Sequence, residues 1–277
     1  MANYANFQCL RVRFDRGVAF VTFDHGAINL LDLAMVMELA RLTEQLEQDE
    51  EVRVAVFDSK NPDYFLSHAD LPLLQRVRDT GAYDRDEMPF YCALLERLRT
   101  LPIATIARVE GRARGGGAEF VLALDMSFAA IGRASLSQME IVLGILPGGG
   151  GAQYLARKIG RSRAMEICLG GGDIPAVDAE RYGYVNRALP ADQIGSFVDE
   201  LAYRIASYSR RSITLNKAAV NLHEAGRGSE FITNNKWFAE LVKSSSFDQR
   251  VARFIDGGGQ TKAGELSDFA EWAQKLA

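Results

Sequence analysis

Arg108-Val-Glu-Gly-Arg-Ala-Arg-Gly-Gly-Gly-Ala-Glu119 is the stretch on which the fold turns. Ile103 to Val109 reads as a buried strand that ends at Glu110-Gly111, and three glycines then open a helix predicted over Gly115 to Leu124. A strand that runs through a glycine turn into a helix is an α/β unit built for close backbone approach. The start of a helix presents unpaired N–H groups and the positive end of its dipole, so an N–H near Gly116 can hold a developing oxyanion. Tight packing alone would also account for the glycines.

Outward from this segment the alternation repeats. Leu10 to Phe14 and Val18 to Phe23 predict a hairpin around Asp15-Arg16-Gly17, and Leu33 to Gln48 carries apolar residues at helical spacing ahead of the apolar run Val52 to Phe57. Glu87 to Arg99 reads as a helix and Met126 to Ile131 as a further strand. Strands alternating with helices predict an α/β core whose parallel strands are covered on both faces. After Val177 the periodicity is helical, over Ala191 to Tyr208, Ile213 to Glu224 and Glu230 to Lys243.

The 277 residues are 48% hydrophobic and 25% charged, enough to bury a large core. A net charge of −4, without a long Lys/Arg run, argues against a nucleic-acid partner. The most apolar stretch, Phe120 to Ile131, is cut by Asp125 and is too short to span a bilayer. The N-terminus has no apolar signal core, so no membrane association and a cytoplasmic location are expected. Cys9, Cys92 and Cys168 are odd in number and far apart, which suits unpaired core thiols in a reducing compartment.

Further glycines cluster in Gly144 to Gly151, Gly170 to Gly172 and Gly257 to Gly259. A phosphate loop needs a Gly-Lys pair, which the chain lacks, and Ala113 stands where a dinucleotide fingerprint needs its second glycine. There is no G-x-S-x-G nucleophile elbow. His25, His68 and His223 lack ligand spacing, so no metal is expected.

Four segments, in order and spacing, resemble the crotonase (enoyl-CoA hydratase/isomerase) superfamily. They are Ala27-Ile28-Asn29, Phe65-Leu-Ser-His-Ala-Asp-Leu71, the Arg108 to Glu119 stretch, and Glu140-Ile-Val-Leu-Gly-Ile-Leu-Pro-Gly-Gly-Gly-Gly151. The resemblance implies an α/β spiral of ββα repeats over residues 1–205 carrying the acyl-CoA site. It also implies a C-terminal helical trimerisation region over 206–277, and a homotrimer or a dimer of trimers. It further implies oxyanion-hole N–H donors at Ser67 and Gly116 and acid/base carboxylates at Glu119 and Glu140. Substrate would be lined by Ala27, Ser67, His68, Ala69, Asp70 and Gly116.

The implied activity is hydration of an enoyl-CoA, with coenzyme A entering as part of the substrate and no resident cofactor. Two donors aimed at the thioester oxygen would stabilise the enolate, and two carboxyl groups would share the proton transfers. Isomerase or hydrolase chemistry and a non-catalytic CoA-binding scaffold are the alternatives. Glu119 would otherwise serve the helix dipole, Glu140 would otherwise be an exposed loop-edge residue, and Asp70 would cap the helix after it. His68 departs from the family pattern, which has glycine there. Glycine there points to a backbone with φ above zero or to close contact with CoA, and His68 is expected to line the pocket wall, a third acid/base group being the alternative.

Overall fold

The computed structural model describes residues 4–84, 87–222, 229–266 and 269–276. His223 and Glu224 therefore lie outside the described residues. The chain opens with β1 (Leu10–Asp15) and β2 (Val18–Phe23), an antiparallel hairpin. Arg16 and Gly17 both take positive φ, 46° and 81°, which is the turn chirality that matches strand twist. Helix α1 (Leu33–Gln48) follows, its first turn closed by Asp32, whose carboxylate accepts the Met35 N–H at 2.9 Å.

Three successive ββα units then build the body. The first is β3 (Val54–Ser59) and β4 (Tyr64–Leu66), followed by α2 (Leu71–Asp79) and α3 (Phe90–Arg99). The second is β5 (Ala104–Val109), β6 (Arg112–Arg114) and α4 (Gly116–Ala123). The third is β7 (Met126–Ala130) and β8 (Ser135–Ser137), a single helical turn over Glu140–Leu143, and α5 (Gly151–Ile159). Each unit gives its first strand to a six-stranded sheet of order β1-β2-β3-β5-β7-β10 and its second to a small sheet of order β4-β6-β8-β9. Beyond the hairpin the large sheet is parallel throughout, as the buried apolar strands require.

The chain continues with α6 (Arg161–Gly170), β9 (Ile174–Pro175), α7 (Ala176–Tyr182), β10 (Arg187–Leu189), α8 (Ile194–Ala206) and α9 (Arg210–Asn221). The last elements are α10 (Ser229–Val242), α11 (Ser245–Asp256) and α12 (Phe269–Leu276). Pro89 begins α3 at Phe90 instead of Glu87, because a proline cannot continue a helix back through its own nitrogen. Ser209 caps α9 three residues earlier than periodicity suggested. Sequence reading did not separate α5, α6 and α7, which are short and broken by glycine or proline.

Helix α4 is buried on every side, so it sits as a central pillar between the sheets. Phe120 on it meets Phe57 edge-on at 5.1 Å and Phe23 at 5.6 Å, and Phe23 meets Phe65 at 5.2 Å. Gly117 brings the pillar against β4: a Cβ there would lie 2.6 Å from the Leu66 carbonyl carbon and 2.8 Å from Ser67 O. A second core forms where Phe238, Val242, Phe247, Val251, Phe254, Phe269 and Trp272 pack on Leu71 and on Met139 to Ile145. The C-terminal helices thus close over the segment that carries Glu140. Among the described residues no helix is long and apolar enough to cross a membrane.

Candidate active site

Three backbone segments meet beside the N-terminus of α4. Asn29, in the left-handed region at φ 50°, anchors the first. Its side-chain amide donates to Ser59 Oγ at 2.8 Å and Phe65 O at 3.0 Å, and its Oδ1 accepts the His25 N–H at 2.9 Å. Leu31 then pairs with the 67–70 segment: its N–H donates to His68 O and its carbonyl accepts the Asp70 N–H, both at 3.1 Å.

This pairing corrects the expected donor. The Ser67 N–H is committed to Asn29 O at 3.0 Å, and the Ser67 hydroxyl to Ile28 O at 2.7 Å, so neither is free for substrate. Neither hydrogen bond of the Leu31 bridge uses the Ala69 N–H, which faces the opposite side of the segment. Ala69, two residues on, is thus the residue of this segment whose N–H the pairing with Leu31 leaves unused. Gly116 is the first residue of α4 and has no intrahelical partner for its N–H. Leu31 joins the two sites: it bridges Ala69, and its Cδ2 would lie 2.7 Å from a Cβ at Gly116. Tyr91 on α3 fixes the same residue from above, its hydroxyl donating to Gly116 O at 2.7 Å.

The carboxyl groups are buried, Glu119 at 2% exposure and Glu140 at 8%. Glu119 Oε1 accepts the N–H groups of Gly149 and Gly151, each at 2.8 Å, so the glycine-rich turn before α5 holds the carboxylate. Desolvation pushes Glu119 up to about 7 against the lowering effect of those two N–H groups. Glu140 is driven well above the usual carboxylate range, first by burial and then by the charge of Glu119. Among the described residues its Oε2 has no hydrogen-bond partner. Unequal hydrogen bonding therefore divides the pair: Glu119, held by two N–H donors, gives up its proton before Glu140 does.

The remaining expected residues are placed as follows. Ala27 is exposed, its carbonyl accepting the Asn61 amide at 2.7 Å. Asp70 stands at the N-cap of α2, but its side chain makes no capping bond and lies 3.9 Å from Arg76, so the expected cap is not formed. His68 is 4% exposed and turns away from the pocket wall expected for it. It is absent from the positive-φ residues, so its backbone needs no glycine-like conformation. Its Nε2 lies 2.9 Å from Glu265 Oε1, and its ring meets Phe254 and Phe269 edge-on. Tyr91, Gly149, Gly151 and Glu265 were not singled out in the sequence. Only the glycine run offered a signal, and that run gave no indication of the carboxylate it holds.

The two-sheet ββα spiral, with paired acids and helix-end N–H groups, defines the crotonase class of fold. The sequence matches the family described as Enoyl-CoA hydratase/isomerase over residues 13–258, and the chain belongs to that family. A Mycobacterium leprae protein named "Probable enoyl-CoA hydratase echA8" is 36% identical, over 83% of this chain and 88% of its own. A Dictyostelium discoideum protein named "Probable enoyl-CoA hydratase, mitochondrial" is 32% identical over 74% and 72%. A solved structure from Streptomyces avermitilis, described as a "putative enoyl-CoA hydratase", superposes with a TM-score of 0.90 at 35% identity, covering 98% of this chain and 99% of that one.

Proposed function

We propose that this chain adds water across the 2,3 double bond of an enoyl-CoA thioester, by way of an enolate. One observation carries this reading: two buried carboxyl groups share a site but differ in hydrogen bonding, one held by two N–H donors and one with a bare oxygen. The N–H groups of Ala69 and Gly116 accept the negative charge that develops on the thioester oxygen, each contributing on the order of 3 kcal/mol to the barrier. Ionised Glu119 takes a proton from water as the water oxygen bonds to Cβ. The π electrons move onto the thioester, and Glu140 delivers its proton to Cα. Glu119 ends protonated and Glu140 ionised, and transfer of the proton between them resets the pair.

The enzyme is proposed to act as a homotrimer or dimer of trimers, supported by Leu215, Val220 and Leu222, which leave apolar surface exposed on and just beyond α9. A cytoplasmic location is proposed from the three thiols, which are unpaired. Coenzyme A arrives with the acyl group and no resident cofactor is needed.

The test is a panel of enoyl-CoA thioesters followed by conjugated-band absorbance and by mass. Loss of the band with gain of one water supports hydration. Release of free CoA, or a shifted double bond at unchanged mass, would replace this reading with hydrolysis or isomerisation. Light scattering that gives the 30.5 kDa monomer mass would overturn the oligomer.

A further inference from the structure

Four charged side chains run in a buried line beneath the oxyanion loop, and the proposed carboxyl chemistry uses none of them. His68 lies against Glu265, Glu265 Oε2 is 3.3 Å from Arg114 Nη1, and Arg114 pairs with Asp173 through Nε at 2.8 Å and through Nη2. Arg114 and Glu265 are fully buried. The line joins the loop after β4, strand β6, the segment before β9 and the C-terminal turn at Gly264–Leu266.

The partners determine the protonation of His68. Its Nδ1 lies 3.0 Å from Ala69 O, and its Nε2 lies 2.9 Å from Glu265 Oε1. A carbonyl oxygen cannot donate. Glu265 stays a carboxylate, because it also receives the Gln260 N–H at 2.8 Å and the Arg114 guanidinium. Both ring nitrogens therefore face acceptors, and only the doubly protonated ring satisfies both. The directions of titration agree: Glu265 holds His68 above its ordinary value against desolvation, and His68 holds Glu265 below its own. The two cations and two anions balance, which is what a buried cluster requires.

We propose that His68 is a positioning residue for the oxyanion loop, a protonated clasp that ties the C-terminal turn to the Ala69 peptide. This rests on the hydration reading above. Leu31 fixes the peptide on the N-terminal side of Ala69, and the His68 Nδ1–H fixes the carbonyl on its C-terminal side. The Gln260 side chain reaches the same carbonyl at 3.5 Å, and Gln260 takes a left-handed backbone, φ 62°, while its N–H bonds to Glu265. Loss of one imidazole proton leaves Ala69 O or Glu265 facing a lone pair. The Ala69 N–H then loses its fixed aim, which weakens transition-state binding more than substrate binding. The charged and titratable groups facing this ring are Glu265 and Arg114, with Asp173 and Tyr64 behind them. Glu140 Oε1 also borders His68: it and His68 Cβ approach the point where a Cβ on Gly115 would stand, at 3.2 Å and 3.0 Å.

The experiment follows the histidine rings by NMR in full-length protein labelled at histidine, alongside the pH profile of kcat. Expected in the wild type is one ring that keeps both protons where free imidazole is neutral. In Glu265→Gln, that ring should titrate at lower pH and the alkaline limb of kcat should move down with it. His68→Phe, which keeps a ring between Phe254 and Phe269, should lower kcat about 10- to 100-fold with KM within about threefold. A shifted imidazole titration with an unmoved alkaline limb would overturn the proposal, as would full kcat in His68→Phe. If Glu265→Gln does not fold, hydrogen exchange at the Gln260 amide of the wild type decides. Protection lost in step with the ring titration supports the clasp, and protection independent of it refutes the clasp. That readout needs no turnover, so failure of the clasp and failure of the hydration reading are seen separately.

Discussion

Gly149 meets the Glu119 carboxyl group from two directions: its N–H donates to Oε1 at 2.8 Å, and a Cβ on it would lie 2.9 Å from Glu119 Cδ and 2.8 Å from a ring carbon of Tyr91. A methyl group at this position must displace the carboxylate or the tyrosine. Gly149→Ala is expected to fold and to lose about 10- to 100-fold in kcat, the scale of a misplaced catalytic base, with little change in KM. Steady-state kinetics beside a near-UV CD spectrum check this. Unchanged kcat would mean that the position of Glu119 is not critical.

Glu119→Gln and Glu140→Gln are each expected to lower turnover by about 10²- to 10⁴-fold, because an amide keeps the shape and loses the proton transfer. Calorimetric titration with a saturated acyl-CoA should give affinities close to wild type. Normal turnover in either variant would remove that residue from the mechanism.

The same burial predicts a gain in stability. Glu140 has a raised folded-state value, so the folded protein holds its proton more tightly than the unfolded chain does. Stability is therefore fully present below the unfolded value and falls as pH rises toward the folded one. Glutamine does not ionise, so Glu140→Gln should melt above wild type at pH 8, with the gap closing as pH falls toward the ordinary carboxylate value. Thermal melts across that range check the sign, and a gap that widens in acid would refute it.

The donor assignment separates two neighbouring amides. Replacing the amide at Ala69 by an ester removes that N–H and is expected to cost about 10²- to 10³-fold in kcat. The same change at Ser67 removes a bond to Asn29 O and is expected to cost about 1 kcal/mol of stability with little effect on kcat. The reverse pattern would return the donor to Ser67.

Much of this site was legible in the sequence. The strand-glycine-helix pattern is local, and it leads to a helix that starts at Gly116 with Glu119 in its first turn, whereas the roles expected of the two came from the resemblance. Glu140 was recognisable through the four-segment resemblance, and its apolar flank, Met139 and Ile141-Val142, is a local sign of the burial it has. The donor at Ala69 was not readable, because which N–H is already engaged depends on pairing with Leu31, far away in the chain. His68 was misread for the same reason: its partner Glu265 is 197 residues away, and no periodicity reports such a contact.

The spiral has a temporal consequence. Ala69, Glu119 and Glu140 come from three successive ββα units, and Glu265 follows only near the end of the chain. During synthesis the large sheet can therefore begin to assemble while the chemistry is still absent, since Glu140 follows five of its six strands and the C-terminal helices and turn come later still. A nascent chain, or a fragment ended before α11, carries the glycine-rich helix start without the packing that dries Glu140. Such species should be catalytically silent, so activity reports on the docking of α11 and α12.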